Sequence, residues 1–147
     1  MPEKETLRRA QEDKREGKAA STQANEFVRE EMEHIREGKH NARNTKQTIT
    51  IGLSKARRAG VNLPPPAKGE APASTRRSAK QALKLRGKKV SAKRSRATEK
   101  ALKREPRVAA SKTALSRQAH SAARKRTASE RSASAKKAAR TRAHNAA

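Results

Sequence analysis

The chain has 147 residues, of which 36% are charged and 31% hydrophobic, and its formal net charge is +25. Low hydrophobicity combined with high net charge excludes a large core, and no run of about 18 apolar residues is present to span a bilayer. The absence of Cys excludes disulfides, thiolate nucleophiles and Cys-based zinc sites.

The first 37 residues are the acidic part of the chain, because they hold eight Lys or Arg against ten acids, a net charge of −2. The segment 3–16 is rich in helix-forming residues but offers only Leu7 and Ala10 as apolar positions. We therefore predict a frayed helix here, solvated on most sides and ended by Gly17.

A second helix is predicted over residues 22–37. Ser21 and Thr22 are good N-cap residues, and Gly38 ends the pattern. Between them the apolar residues recur at spacings of three and four: Ala24, Phe27, Val28, Met32 and Ile35. Since Phe27 is the only aromatic residue of the chain, we expect it at the centre of a small hydrophobic contact rather than stacked on a base.

A third helix is predicted over residues 45–59. Asn44 can cap it, Gln47 completes a capping box, and Gly60 suits its C-terminal end. The β-branched alternation of residues 48–51 is typical of a strand, but the longer flanking pattern favours a helix.

The segment 38–61 contains six Lys or Arg and no acid, so it can present a basic face. Its candidate phosphate-binding residues are Lys39, His40, Arg43, Lys46, Lys55, Arg57 and Arg58. A flexible loop that leads into a helix N-terminus suits phosphate binding, and a solvated loop with ordinary capping is the alternative. A helix-turn-helix is disfavoured because the loop is longer than the usual turn.

Residues 62–75, with prolines at 64–66 and 72, are predicted to be a Pro-rich linker. The tail, residues 76–147, carries 24 Lys or Arg against three Glu, a net charge of +21. Its apolar residues follow no sustained period, so we predict an intrinsically disordered tail that becomes partly helical on a polyanion, with Pro106 as a break. The expected fold class is mostly α, with two or three N-terminal helices (residues 1–61), this linker and this tail.

The scattered cations of the tail indicate a polyanionic partner, and nucleic acid is the evident one. The candidate contacts are Arg76, Arg77, Lys80, Lys88, Lys89, Lys93, Arg94, Arg96, Lys103, Arg104, Arg124, Lys125, Arg126, Lys136, Lys137, Arg140 and Arg142. No Trp or Tyr is present to form a base-stacking module. We expect a histone-like, nucleoid-associated protein of the cytoplasm that binds duplex DNA without sequence preference. An RNA- or ribosome-associated protein whose helical region recruits a partner is the alternative.

Further sites and partners are limited. The four histidines, His34, His40, His120 and His144, show no metal-ligand spacing and no Asp or Cys partner, so no metal or cofactor is expected. No nucleophile, base and orienting group stand together, so we do not expect an enzyme. A helical region this small is marginally stable, which favours a homodimer through Phe27, Val28, Met32, Ile35, Ile49 and Leu53.

A family resemblance rests on the string from Gly38 to Gly60, its continuation Leu63-Pro64-Pro65-Pro66, and the preceding strings Ser21-Thr22-Gln23-Ala24 and Phe27-Val28-Arg29-Glu30-Glu31. In these strings the chain resembles a family of uncharacterised small bacterial proteins. Some members are labelled as DNA-binding or plasmid-stabilisation proteins. The resemblance covers residues 1–67, although Asn41 and Asn44 stand where Gly and Ser are expected. The tail is similar in composition to the Ala/Lys-rich arms of linker histones and bacterial histone-like proteins. Both resemblances imply DNA binding.

Overall fold

The chain is mostly α-helical in a computed structural model that describes residues 1–146. The helices are α1 (Lys4–Arg15), α2 (Ala20–Arg36), α3 (Thr45–Ala59), α4 (Ala73–Lys84), α5 (Ala92–Leu102), α6 (Lys112–Arg124) and α7 (Ala128–Ala146), and a 3-10 turn covers Arg107–Ala110. Residues 1–146 contain no strand, only an isolated bridge between Lys68 and Ala71. The predicted mostly-α class is confirmed.

The chain divides into two compact units, Met1–Ser111 and a second that begins at Lys112. The first contains α1 to α5 and the 3-10 turn, and the second contains α6 and α7. None of the helices in the described part of the chain has the length and apolar character needed to cross a bilayer.

The core of the first unit forms where α1, α2 and α3 meet. Phe27 is 1% exposed and lies among Ala10, Ala24, Ala56 and Val61, which are also buried. Leu7, Ala20, Leu53 and Leu63 cover this cluster from outside. One aromatic side chain surrounded by alanines allows the helices to approach closely.

The prediction of a frayed, solvated α1 is wrong. Thr6, Ala10 and Asp13 of α1 are buried, and the helix packs on α2. The Arg9 guanidinium also donates to the Glu26 carboxylate at 2.6 Å. Short side chains at Thr6 and Ala10 form the contact, which a search for large apolar residues overlooks.

Helices α2 and α3 approach each other most closely at Gly52. A Cβ atom at this position would lie 2.6 Å from the Val28 Cα and 2.8 Å from the Val28 nitrogen. Gly costs about 1 kcal/mol relative to Ala inside a helix. The close backbone contact is therefore the structural reason for Gly at this position.

The expected homodimer surface is largely used inside the chain. Phe27, Met32 and Ile35 are each no more than 7% exposed, and only Val28, Ile49 and Leu53 keep partial exposure. The structure therefore does not support pairing of two copies through this set.

A disordered tail is not what the structure shows, because residues 73–146 hold four α-helices and the 3-10 turn. The residues responsible are the alanines and the long basic side chains, which are among the best helix formers. Two parts of the tail are docked on the first unit: α4 buries Ala79 and Ala82 against α3, and the 3-10 turn buries Ala109 and Ala110 against α2 and α3. Helices α5, α6 and α7 bury no residue.

Replacing Gly52 by Ala tests the α2–α3 contact. We expect Gly52→Ala to lower the free energy of unfolding by about 1–3 kcal/mol, because the added methyl group collides with the Val28 backbone. The measurement is urea unfolding followed by far-UV circular dichroism. Thr50→Ala on the exposed side of α3 is the control, with an expected change within about 0.5 kcal/mol. A more stable Gly52→Ala protein would contradict the close approach.

Candidate nucleic-acid interface

Arg57, one of the predicted phosphate contacts, lies inside the protein. Its side chain donates to the carbonyl oxygens of Leu63 at 3.1 Å and Pro64 at 2.9 Å. Burial lowers the pKa of the guanidinium, and the residue is only 5% exposed. Arg57 therefore holds the start of the Pro-rich segment on α3 and does not belong to a nucleic-acid surface.

His40 and Lys55 are also engaged inside the protein, both with the buried carboxylate of Glu31. His40 Nε2 lies 3.1 Å from Glu31 Oε2, and the Lys55 ammonium group contacts Glu31 Oε1. Lys55 also lies 3.4 Å from Glu30 Oε1. These two predicted contacts neutralise acids of α2 and are not available to phosphates.

The pKa values in this buried network favour charged groups. Burial works to raise the pKa of Glu31, but hydrogen bonds from His40 and Lys55 outweigh it and hold the pKa below its ordinary value. The hydrogen bond to Glu31 in turn raises the pKa of His40 against the effect of its burial. The network is thus a set of mutually compensating ions that ties α2, α3 and the loop between them together.

The loop before α3 does not form an open phosphate site. Asn44 Oδ1 accepts the backbone N–H of Gln47 at 2.9 Å, and Gln47 Oε1 accepts the backbone N–H of Arg43 at 2.6 Å. The buried Thr45 hydroxyl donates to the Ala109 carbonyl at 2.6 Å. Because the Asn44 cap and the docked 3-10 turn occupy this helix end, ordinary capping fits the structure better than phosphate binding. The loop is not solvated throughout, since His40 and Ala42 are buried.

The remaining predicted cations of the segment 38–61 are at the surface or partly so. Arg43 and Lys46 are exposed, and Arg58 is half-buried. Lys39 is exposed but pairs with Glu3 and Glu37 at 3.0 and 2.9 Å. Only three residues of α3 are exposed: Lys46, Thr50 and Ala59. The helix therefore lacks the free face that a recognition helix needs.

Helix α4 presents a continuous basic face. Arg76, Arg77, Lys80 and Lys84 fall within an arc of about 100° on the helix. The buried Ala79 and Ala82 lie on the opposite side, against α3. The same amphipathic pattern therefore docks the helix and exposes Arg77, Lys80 and Lys84, whereas Arg76 is half-buried.

The other predicted tail contacts are also at the surface. All of the following are exposed: Lys88, Lys89, Lys93, Arg94, Arg96, Lys103, Arg104, Arg124, Lys125, Arg126, Lys136, Lys137, Arg140 and Arg142. Among them Lys103 forms an ion pair with Glu99 of α5 at 2.9 Å, so its charge is partly neutralised within the chain. The structure leaves the others free of acidic partners within the described chain.

A shallow basic depression lies on α6. Arg117, His120, Ser121, Arg124 and Lys125 line it. Their spacing places them on an arc of about 140° of the helix. The sequence prediction included Arg124 and Lys125 but missed Arg117 and His120, which the spacing of three, four and seven residues would have identified.

Helix α7 differs from α6 because its cations are not confined to one side. Arg131, Lys136, Lys137, Arg140 and Arg142 point in directions spread around the whole helix axis. Such a helix offers positive charge to a polyanion from any approach and has no preferred orientation.

Replacing Lys55 tests the buried ion network. Lys55→Met leaves Glu30 and Glu31 buried without their ammonium partner, so we expect unfolding to become easier by about 3–5 kcal/mol. Lys39→Met is the matched control, because its partners Glu3 and Glu37 are about half exposed and the expected loss is below about 1 kcal/mol. Chemical denaturation of both variants measures the difference, and equal losses would contradict a network held mainly by Lys55.

Comparison of the chain with models of known families, with curated proteins and with solved structures finds no match. The resemblance of residues 1–67 to a family of uncharacterised small bacterial proteins, some of them labelled as DNA-binding or plasmid-stabilisation proteins, therefore stays a prediction. What the geometry adds is that His40, Lys55 and Arg57 are engaged inside the protein, whereas most cations of α4 to α7 are exposed.

Proposed function

We propose that this protein binds nucleic acid, with duplex DNA as the preferred partner, through electrostatic contacts of its C-terminal helices with phosphates. It acts without sequence specificity, as a histone-like protein of the nucleoid in the cytoplasm. It performs no catalysis in this role.

The observation that carries the proposal is the surface of residues 112–146. This segment contains ten Lys or Arg and one acid, Glu130, and all ten cations are exposed. Folding of the chain does not neutralise them, so the charge is available to an external polyanion. The cations on one face of α4 add positive surface charge to the first unit as well.

The size of the charge is sufficient for tight binding at low salt. Duplex DNA carries a charge about every 1.7 Å of axis, so 24 cations match roughly 40 Å, about one helical turn. Ten phosphate contacts would give a log–log salt slope near −9. Affinity should therefore fall by orders of magnitude between low and physiological salt.

The arrangement of the cations supports binding without sequence preference. Phosphate contacts position a protein on DNA, whereas side chains that reach base edges specify sequence. The cations of α7 surround the helix, and α3 is covered by its neighbours, so neither of these helices presents a single ordered reading face to a groove.

Neutralising the depression on α6 tests the proposal. We expect the variant Arg117→Gln, Arg124→Gln, Lys125→Gln to lower the magnitude of the salt slope by about 2.7, which is about 0.9 for each lost phosphate contact. Fluorescence anisotropy with a labelled DNA duplex, repeated over a salt series, measures the slope. Because α6 buries no residue, the variant should keep its fold.

The matched control removes the same charge from α1. Lys4, Lys14 and Arg15 are exposed and lie in the acidic part of the chain, so their replacement by Gln should leave the slope unchanged within error. Equal effects of the two variants would mean that net charge alone decides the affinity and that the C-terminal helices are not the interface. An RNA duplex of the same length is the second arm, and tighter binding to RNA would favour the alternative of an RNA-associated protein.

A further inference from the structure

Two histidines and a glutamate converge beside the loop between α2 and α3. Glu31 and His34 lie three residues apart on α2, and His40 comes from the loop. One ligand atom from each residue lies within 4.8 Å of the other two. Glu31 is 1% exposed, and the His34 and His40 side chains are 12% and 11% exposed, so the donors share a nearly closed site.

The distances between the donor atoms are close to those around a tetrahedral ion. His40 Nε2 is 3.1 Å from one carboxylate oxygen of Glu31, Oε2, and His34 Nδ1 is 3.7 Å from the other, Oε1. Ligands that lie about 2.0–2.2 Å from Zn²⁺ in tetrahedral geometry are about 3.3 Å from one another. The centroids of the two imidazole rings are 5.7 Å apart, and the ring planes are inclined at 84°. Two histidine rings that bind one tetrahedral ion have centroids roughly 5 Å apart, so the observed arrangement fits a shared ion.

The second nitrogen of each ring has an oxygen acceptor. His34 Nε2 lies 3.0 Å from Glu3 Oε1, and His40 Nδ1 lies 3.2 Å from the Asn41 carbonyl oxygen. When an ion is bound, acceptors at these positions hold the remaining ring protons there, and this leaves lone pairs on His34 Nδ1 and His40 Nε2, the atoms that face Glu31. Histidines that bind metals almost always have such an outer partner, which fixes their tautomer and orientation.

The charge of the surroundings favours a cation. Once His40 has released its proton, the carboxylates Glu3, Glu30, Glu31 and Glu37 outnumber by two the ammonium groups that pair with them, those of Lys39 and Lys55. Lys55 contacts Glu31 Oε1, which leaves Glu31 Oε2 as the metal-facing oxygen. On binding, the ion takes the place of the proton between His40 Nε2 and Glu31 Oε2, and that proton leaves to solvent.

We propose that the Glu31 carboxylate, His34 Nδ1 and His40 Nε2 form a binding site for a divalent transition-metal ion, with Zn²⁺ as the best fit. Imidazole and carboxylate donors suit Zn²⁺, and three protein ligands leave a fourth position for water. The ion fastens the loop between α2 and α3 to α2. The sequence alone predicted no metal site because only Asp and Cys were considered as partners of the histidines, whereas Glu31 supplies the carboxylate.

Titration of the untagged full-length protein with Zn²⁺ tests the site. We expect one equivalent to bind, with a rise in the midpoint of thermal unfolding, and Mg²⁺ at the same concentration to have no effect because it prefers oxygen ligands. His34→Ala and His40→Ala should each weaken Zn²⁺ binding by more than about 100-fold, since loss of an outer partner alone typically costs about 10–100-fold. Glu3→Gln should weaken it by about 10-fold, and the control His120→Ala should not change it.

Imidazole ¹⁵N NMR of the unsubstituted protein tests the metal site directly, even where a variant fails to fold. At one equivalent of Zn²⁺ the signals of His34 and His40 should shift while those of His120 and His144 stay in place. No shift at His34 and His40, shifts confined to His120 and His144, or no saturable binding would each overturn the proposal. None of these readouts involves nucleic acid, so the result does not depend on the proposed function.

Discussion

Burial of two adjacent carboxylates, Glu30 and Glu31, is the constraint on which the rest of the first unit depends. Both side chains are at most 2% exposed, and an isolated buried carboxylate is strongly unfavourable. Their partners come from different parts of the chain: Lys55 from α3, His40 from the loop, and the backbone N–H of Glu3, which donates to Glu30 at 3.1 Å. Neutralising these acids therefore fixes the start of α1, the loop and α3 against α2.

The same constraint explains why the basic residues of the chain have two different roles. Cations in α3 and its loop meet acids or carbonyl groups, as Lys55 and Arg57 do, and are used for folding. Residues 76–147 have only three acids for 24 cations, so most cations there can find no internal partner. The excess charge on the C-terminal helices is thus a consequence of composition, and folding cannot remove it.

Some of this structure could be predicted from the sequence and some could not. Apolar spacing at three and four residues indicates α2 and α3, and the Asn44 cap marks the start of α3, because both signals act locally. The predicted cap of α2 at Ser21 and Thr22 is wrong, since α2 begins at Ala20 and its N-cap, Ala19, makes no side-chain hydrogen bond. Docking of the 3-10 turn depends on hydrogen bonds between residues more than 60 positions apart in the sequence, such as that of Thr45 with Ala109. No local sequence pattern predicts such bonds. Alanine contacts are equally hard to find, since Ala79 and Ala82 of α4 pack although they look like ordinary helix formers.

The candidate nucleic-acid interface could likewise be predicted from the sequence only in part. Exposure of the tail cations could be predicted, because a segment with few apolar residues has nowhere to bury them. The inward position of Lys55 and Arg57 could not, since a run of basic residues without nearby acids normally lies in solvent. Glu30 and Glu31 are 25 and 24 residues from Lys55, and only the packing of α2 on α3 brings them together.

Selectivity among polyanions would need a feature that the described helices do not offer. Base-edge readout requires side chains held rigidly on a helix or ribbon that fits the major groove. Helix α3 is the most rigidly held basic helix, but α2, α4 and the 3-10 turn cover it. Helices α6 and α7 are exposed, but they bury no residue that would fix their side chains in one geometry. Most of α3 is thus covered and the cations of α6 and α7 lack an ordered frame, which leaves the charge of the phosphate backbone as what the surface of α6 and α7 can recognise.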